Sequence, residues 1–306
     1  MALDPALAAI LANMAGAPAL TAHPAAQARA VFDQLAVGLD RGTRVEVGRV
    51  ADDEVAGVPV RVYRPTTAGR HATVVFVHGG GWVIGSVETH DGLARRLCRD
   101  VDAVVVSVDY RLAPEAPFPA ALEDVTTVFD AVAAGIDGYG GDADRLGVAG
   151  DSAGGNLAAV LALHARDTGT PLAAQLLFYP ATDLGTDFAS MTENAEGYFL
   201  SRADTEWFAG HYLGGDATLT ADPRVSPARA ERLTGLAPAV VVTAGFDPLR
   251  DDGDAYAAAL AAAGGRVVHR RFDALIHGFT AFTGLSPACE AATAWTLEQF
   301  GTLLRG

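Results

Sequence analysis

Five runs of the chain, TVVFVH (73–78), AVVVSV (103–108), RLGVAG (145–150), AAQLLFYP (173–180) and AVVVTAG (239–245), are apolar without alternation. A strand with one face in water alternates apolar and polar residues, whereas an unbroken apolar run fits a strand covered on both faces. Such strands occur where helices sandwich a parallel sheet. Helical periodicity fills the intervals here, at about 90–99, 119–134, 153–166 and 253–263. The alternation predicts an α/β fold with right-handed crossovers. Ahead of it, TRVEVGRV (43–50) and VPVRVYRP (58–65) alternate with period two around a turn containing Asp52, Asp53 and Gly57, which predicts an antiparallel pair. RVVHRRF (266–272) supplies a last strand, the eighth, and 287–304 a last helix.

The rhythm breaks between Asp183 and about Leu236, where EGYFLSRADTEWFAGHYL (196–213) is helical in period and rich in aromatics. A structureless loop of that length is uncommon in a compact domain. Residues 184–236 and the helices of 1–42 are therefore expected to form a cap over the C-terminal edge of the sheet, with 43–183 and 237–306 as the α/β domain. In the first helix Asp4 is a fitting N-cap and Pro5 a fitting first residue, and Leu7, Ile10, Leu11 and Met14 share one face. No Lys or Arg precedes its apolar stretch, so it makes a poor secretory signal, and no apolar run is long enough to span a bilayer. A formal net charge of -15 argues against nucleic acid or anionic membranes as partners, since both call for a basic surplus. Cys98 and Cys289 are too few for a disulfide framework or a four-cysteine zinc site and read as reduced thiols in helices. The expected setting is the cytoplasm.

Chemistry enters at VAGDSAGG (148–155), where Gly150, Ser152 and Gly154 form a G-x-S-x-G between a strand and a helix. A serine on so sharp a turn is exposed above the sheet, and the helix N-terminus beneath it favours negative charge. A serine hydroxyl is a weak nucleophile that needs a base, and the base needs an orienting acid; on such an elbow they follow as Asp or Glu, then His. Of eight histidines only His211, His269 and His277 lie well downstream. His269 falls inside a strand and His211 in the aromatic insertion, whereas His277 follows the last strand in a loop that can reach across the sheet edge. For the acid, Asp247 lies just beyond a buried strand, held extended by Pro248. Asp251, Asp252 and Asp254 suit the start of the next helix. Asp247 is preferred, with Asp251 as the alternative.

The glycine run in HGGGWVIGS (78–86) costs backbone entropy, which signals that bare backbone must approach something. A phosphate-binding loop would need a lysine at Gly85-Ser86, and a dinucleotide fingerprint would need glycine where Ile84 stands. The loop does suit amides that follow the third strand and, with the amide after the nucleophile, stabilise an oxyanion. Gly79, Gly80 and Ala153 are the expected donors.

Taken in order, HGGGW (78–82), DYRLAPE (109–115), GDSAGGN (150–156), DPLRD (247–251) and HGF (277–279) resemble the hormone-sensitive-lipase family of α/β-hydrolases, the bacterial family IV carboxylesterases. The resemblance runs from about Thr43 to the C-terminus. It implies the α/β-hydrolase fold, a mostly parallel sheet of about eight strands with helices on both faces and a helical cap. It also implies Ser152 as nucleophile, Asp247 as acid, His277 as base, an oxyanion hole from Gly79, Gly80 and Ala153, and no metal or organic cofactor. His78 resembles a loop-shaping residue, and Arg111 and Glu115 resemble holders of the YRLAPE turn. The expected substrate is an ester of short to medium acyl chain, bound among Trp82, Phe199, Leu200, Trp207, Phe208 and Phe279. Alternatives on the same scaffold are an amide hydrolase, an elimination enzyme similar to the hydroxyisoflavanone dehydratases, or a receptor similar to those for gibberellin, which lack the histidine. GRVVHRRF is further implied as an edge strand that pairs in a homodimer.

Overall fold

Each of the five apolar runs is a strand, and period-two geometry sends its side chains to two separate cores. The structure, a computed structural model, describes residues 2–14, 16, 18–40 and 44–306. Along β3 (His71–Val77), Val75 and Val77 enter one core while Val74 and Phe76 enter the other, all without exposure. β4 (Ala103–Val108), β5 (Gly141–Asp151), β6 (Ala174–Phe178) and β7 (Ala239–Phe246) divide their residues between the same two cores. One core is closed by α4 (Ala120–Ala134), α5 (Ala153–Thr168) and α8 (Arg250–Ala262), the other by α3 (Asp91–Val101) and α9 (Pro287–Leu304). Cys98 and Cys289 are free thiols buried on α3 and α9.

With β1 (Arg49–Val55), β2 (Val58–Arg64) and β8 (Val267–Ile276), the sheet has eight strands among the described residues, in the order β1-β2-β4-β3-β5-β6-β7-β8. β2 pairs antiparallel with β1 and with β4; every other pairing is parallel. Parallel strands share one C-terminal edge, so the loops leaving β3, β5, β7 and β8 gather there, where open α/β sheets place their crevice.

The first hairpin departs from expectation. TRVEVGRV is not its first strand: β1 starts at Arg49, and the turn is Ala56-Gly57, with φ of 51° and 87°. Two positive φ angles match the twist of hairpin strands. Asp52 and Asp53 therefore lie in the strand, not in the turn. β1 is the sheet edge, where polar side chains stay solvated, and Asp52 stands opposite Arg61 in a 2.6 Å ion pair. The expected strand start at Thr43 and the expected domain boundary at 42–43 lie outside the described residues.

At the N-terminus α1 (Pro5–Met14) is capped by Asp4, whose Oδ1 accepts the Ala6 and Leu7 amides at 3.1 Å each. α2 (Ala25–Asp40) sends Arg29 onto the carbonyls of Val83 and Ala113 at 2.7 Å each, which ties this helix to the glycine loop. Between β6 and β7 the chain forms α6 (Ala189–Glu193), α7 (Arg202–Tyr212) and short 3₁₀ turns. α7 starts later than its aromatic period suggests, because Ser201 and Asp204 form a capping box. Phe199 and Leu200 thus precede the helix. Arg111 and Glu115 hold their turn separately: Arg111 forks onto Asp124 of α4 at 2.8 Å, and Glu115 accepts from Arg29 at 3.0 Å. Among the described residues no helix is long and apolar enough to cross a membrane.

Candidate active site

β5 ends at Asp151 and α5 begins at Ala153, leaving Ser152 on the turn with φ 54° and ψ -119°. A side chain held there costs about 1–3 kcal/mol and persists only where its surroundings over-determine it. Here the Ser152 amide donates to Phe178 O at 2.9 Å, and Ser152 O accepts the Asn156 amide at 3.0 Å. Gly154 lets the elbow close: a Cβ there would stand 2.0 Å from the Val77 carbonyl oxygen. That contact brings the start of α5 against the end of β3, and so sets the glycine loop beside the serine.

His277, the first residue after β8, places Nε2 2.9 Å from Ser152 Oγ and Nδ1 2.8 Å from Asp247 Oδ2. Asp247 is fully buried, and its other oxygen accepts the Leu249 amide at 2.8 Å. A carboxylate can only accept, so it takes Nδ1–H and leaves the Nε2 lone pair toward the serine hydroxyl. The Tyr179 ring packs on the imidazole with centroids 4.7 Å apart, and its hydroxyl lies 2.5 Å from Thr280 Oγ1. Asp251 goes elsewhere: it accepts the Ser190 amide at 2.9 Å and pairs with Arg250 at 2.7 Å. Asp252 is buried on the Thr182 amide at 2.8 Å, and Asp254 meets His269 at 2.8 Å. His211 lies on α7 against Trp207.

The glycine loop offers its free donors one residue later than expected. The Gly79 amide donates to Asp151 Oδ1 at 2.9 Å, so it is engaged and does not face the serine. Gly80, Gly81 and Ala153 line the same cavity as Ser152 and His277, and their amides have no acceptor among the described residues. Gly80 has φ 115°, and a Cβ on it would stand 2.1 Å from Ile84 O, so no other residue fits. His78 is buried, stacks on Tyr110 with centroids 4.3 Å apart, and donates Nδ1–H to Gly79 O at 2.8 Å. Burial pushes its pKa down to about 3, so it is a neutral loop-shaping residue and not a second base.

The cavity over Ser152 has a volume of about 920 Å³. Trp82, Phe199, Leu200 and Phe208 line it; Trp207 and Phe279 do not. Successive helical side chains point about 100° apart, so Phe208 faces the cavity while Trp207 lies edge-on to Phe208 and His211. Phe279 is fully buried among Phe178, Tyr179 and Phe272. Sequence reasoning missed Leu11 and Met14 of α1 and Phe32 and Leu35 of α2, which complete the wall. The signal was there: the apolar face of α1 needed a partner. Asp151 and His90 also line the cavity and were missed. Helical periodicity places His90 in a helix, whereas α3 starts only at Asp91.

A sequence profile of the alpha/beta hydrolase fold family matches residues 74–281. The chain is 46% identical over 243 residues to the carboxylic ester hydrolase LipN of Mycobacterium tuberculosis, covering 77% of this chain and 64% of LipN. It is 43% identical over 256 residues to the carboxylesterase NlhH of the same organism, covering 82% and 80%. It thus spans slightly less than two thirds of LipN and four fifths of NlhH. Among solved structures, a hyperthermophilic esterase of Pyrobaculum calidifontis matches with a TM-score of 0.94 and 40% identity over 99% of each chain. LAE6, an α/β hydrolase enzyme from the metagenome of Lake Arreo, matches with a TM-score of 0.93 and 41% identity over 98% of each chain. The motif order, the sheet topology and these likenesses agree: the chain belongs to the α/β-hydrolase fold family, in its hormone-sensitive-lipase branch, and is a carboxylic ester hydrolase.

Proposed function

We propose that this hydrolase cleaves neutral esters of short to medium acyl chain through an acyl-enzyme on Ser152. The observation that carries the reading is the unbroken hydrogen-bonded chain from Ser152 Oγ through His277 to Asp247, at 2.9 and 2.8 Å. His277 Nε2 takes the hydroxyl proton as Oγ attacks the ester carbonyl carbon, and later gives it to the departing alkoxide. A water molecule repeats the sequence on the acyl-enzyme, releasing the acid and restoring Ser152. Asp247 holds the tautomer and stabilises the imidazolium. The oxyanion is received by the amides of Gly80, Gly81 and Ala153, the donors free on the cavity wall. Residues 184–236 together with α1 and α2 act as the cap, and their apolar side chains enclose the chain of the substrate. Acidic groups on the wall, Asp183, Asp204 and Glu206, favour neutral substrates, and Arg96, which also lines it, is engaged by Glu290 at 2.8 Å.

The test combines labelling with a chain-length series. A fluorophosphonate should form a one-to-one adduct on Ser152, and Ser152→Ala should lose at least ~10⁴-fold in kcat on p-nitrophenyl esters. No adduct and no turnover would overturn the acyl-enzyme reading. Activity rising steadily toward long-chain triglycerides would overturn the chain-length reading.

A further inference from the structure

A second histidine–carboxylate pair stands on the wall of the same cavity, outside the triad. Asp151 immediately precedes the nucleophile and is 6% exposed. Its Oδ1 accepts the Gly79 amide at 2.9 Å and lies 3.4 Å from His90 Nε2. His90 stands just ahead of α3, with Nδ1 2.9 Å from Thr89 Oγ1 and its ring 5.4 Å from that of His78.

Two physical points give the pair a task. The first is geometric. The carbonyl of Gly79 and the amide of Gly80 belong to one trans peptide and point in opposite directions. His78 Nδ1–H holds that carbonyl at 2.8 Å, while Asp151 holds the Gly79 amide on the preceding peptide. Gly79 is thereby pinned on both sides, and the direction of the Gly80 amide follows from it. The second point is electrostatic. Burial pushes the Asp151 carboxyl up, yet His90 and the Gly79 amide outweigh burial and hold it below the usual carboxylate range. An ionised carboxylate close to a forming oxyanion opposes it in a low-dielectric site, so the position in which the carboxylate is held matters to the oxyanion.

We infer that His90 and Asp151 are positioning residues of the oxyanion hole: Asp151 fixes Gly79 and so aims the Gly80 amide, and His90 holds the Asp151 carboxylate in place. The inference rests on the oxyanion hole proposed above. It assigns a purpose to a buried carboxylate and a cavity histidine that the triad chemistry leaves idle.

The test compares His90→Leu, which removes the partner, with His90→Gln, whose amide N–H reaches the Nε2 position. The substrate is p-nitrophenyl butyrate, with rates counted per active site titrated by fluorophosphonate. The probe is an alkyl trifluoromethyl ketone, which forms an oxyanion on Ser152. His90→Leu should lower kcat about 10–100-fold with KM within about threefold, the range for a misplaced oxyanion donor. The ketone should weaken by the factor lost in kcat/KM, and His90→Gln should recover most of both. If His90→Leu does not fold, Thr89→Val loosens the His90 ring without touching Asp151 and should give smaller, matching losses. Unchanged kcat, or a kcat loss without a matching loss of ketone affinity, would overturn the inference. A wild-type enzyme that the ketone fails to inhibit would remove the oxyanion reading itself; inhibited wild type with an unaffected His90→Leu would remove this inference alone.

Discussion

Asp247→Asn separates the two acids that sequence reasoning left in competition. Asparagine keeps the volume of the fully buried side chain, and its carbonyl can still accept the Leu249 amide at 2.8 Å. The fold therefore has little reason to change. What changes is the atom facing His277: an amide N–H stands 2.8 Å from Nδ1, where a carboxylate oxygen had accepted its proton. Two donors cannot face each other, so the imidazole moves its proton to Nε2. The nitrogen 2.9 Å from Ser152 Oγ then has no lone pair with which to take the hydroxyl proton. Loss of the correct tautomer costs about 10⁴ in kcat, or roughly 5.4 kcal/mol at 1.36 kcal/mol per decade. KM for p-nitrophenyl butyrate should stay within about threefold, because Asp247 acts through the base and touches no substrate. Asp251→Asn is the control. Asp251 pairs with Arg250 and the Ser190 amide, so its loss should leave kcat within about threefold. The assay is steady-state hydrolysis with active-site titration and a thermal melt for each variant. If Asp247→Asn kept about a tenth of wild-type kcat or more, or Asp251→Asn fell as far as Asp247→Asn, the tautomer argument would be refuted.

Phe208→Ala should shift the acyl-chain optimum toward bulkier esters, whereas Trp207→Ala should leave it in place, since only Phe208 lines the cavity; a p-nitrophenyl ester series reads both, and equal shifts would count against the cavity wall described. Asp254 gives an acid limb to stability. Burial raises its carboxyl, but bonds from His269, Thr243 and Arg271 outweigh burial and bring it down to about 2. A carboxylate depressed on folding contributes stability above its unfolded value and loses it as pH falls through the folded one. The Tm difference between wild type and Asp254→Asn should thus be full above about pH 4 and shrink toward about pH 2; a difference constant over that range would contradict it.

The central strands were legible because burial on both faces leaves a compositional trace, as in β3 and β4, where no residue is exposed to solvent. β1 left the opposite trace. Its Asp52-Asp53 segment reads locally as a turn, and it is a strand only because β2 supplies a hydrogen-bonding partner and Arg61 a cross-strand counter-charge. Such support is nonlocal, and a window of residues does not contain it. α7 is the reverse case. Ser201 and Asp204 spell out a helix start in plain spacing, but the aromatic run ahead of them extended the apparent period.

The meeting of Ser152, Asp247 and His277 was legible because each follows a strand, β5, β7 or β8, and parallel strands deliver their ends to one edge. Which amides of the glycine loop stay free was not, because three consecutive glycines look alike. The sheet register tells them apart. Val77 is paired with Gly150, so the chain just past β3 runs beside Asp151, and the Gly79 amide falls to that carboxylate 72 residues away. The free amides of the loop therefore begin at Gly80, where the loop has left the ladder. The same crowding explains why a glycine substitution is a poor probe of this hole. With φ 115° and Ile84 O only 2.1 Å from any added Cβ, a side chain at Gly80 disturbs fold and rate together. His90 is the better handle: it reaches the loop through Asp151, so its replacement can change the aim of the Gly80 amide while leaving the glycine backbone as it is.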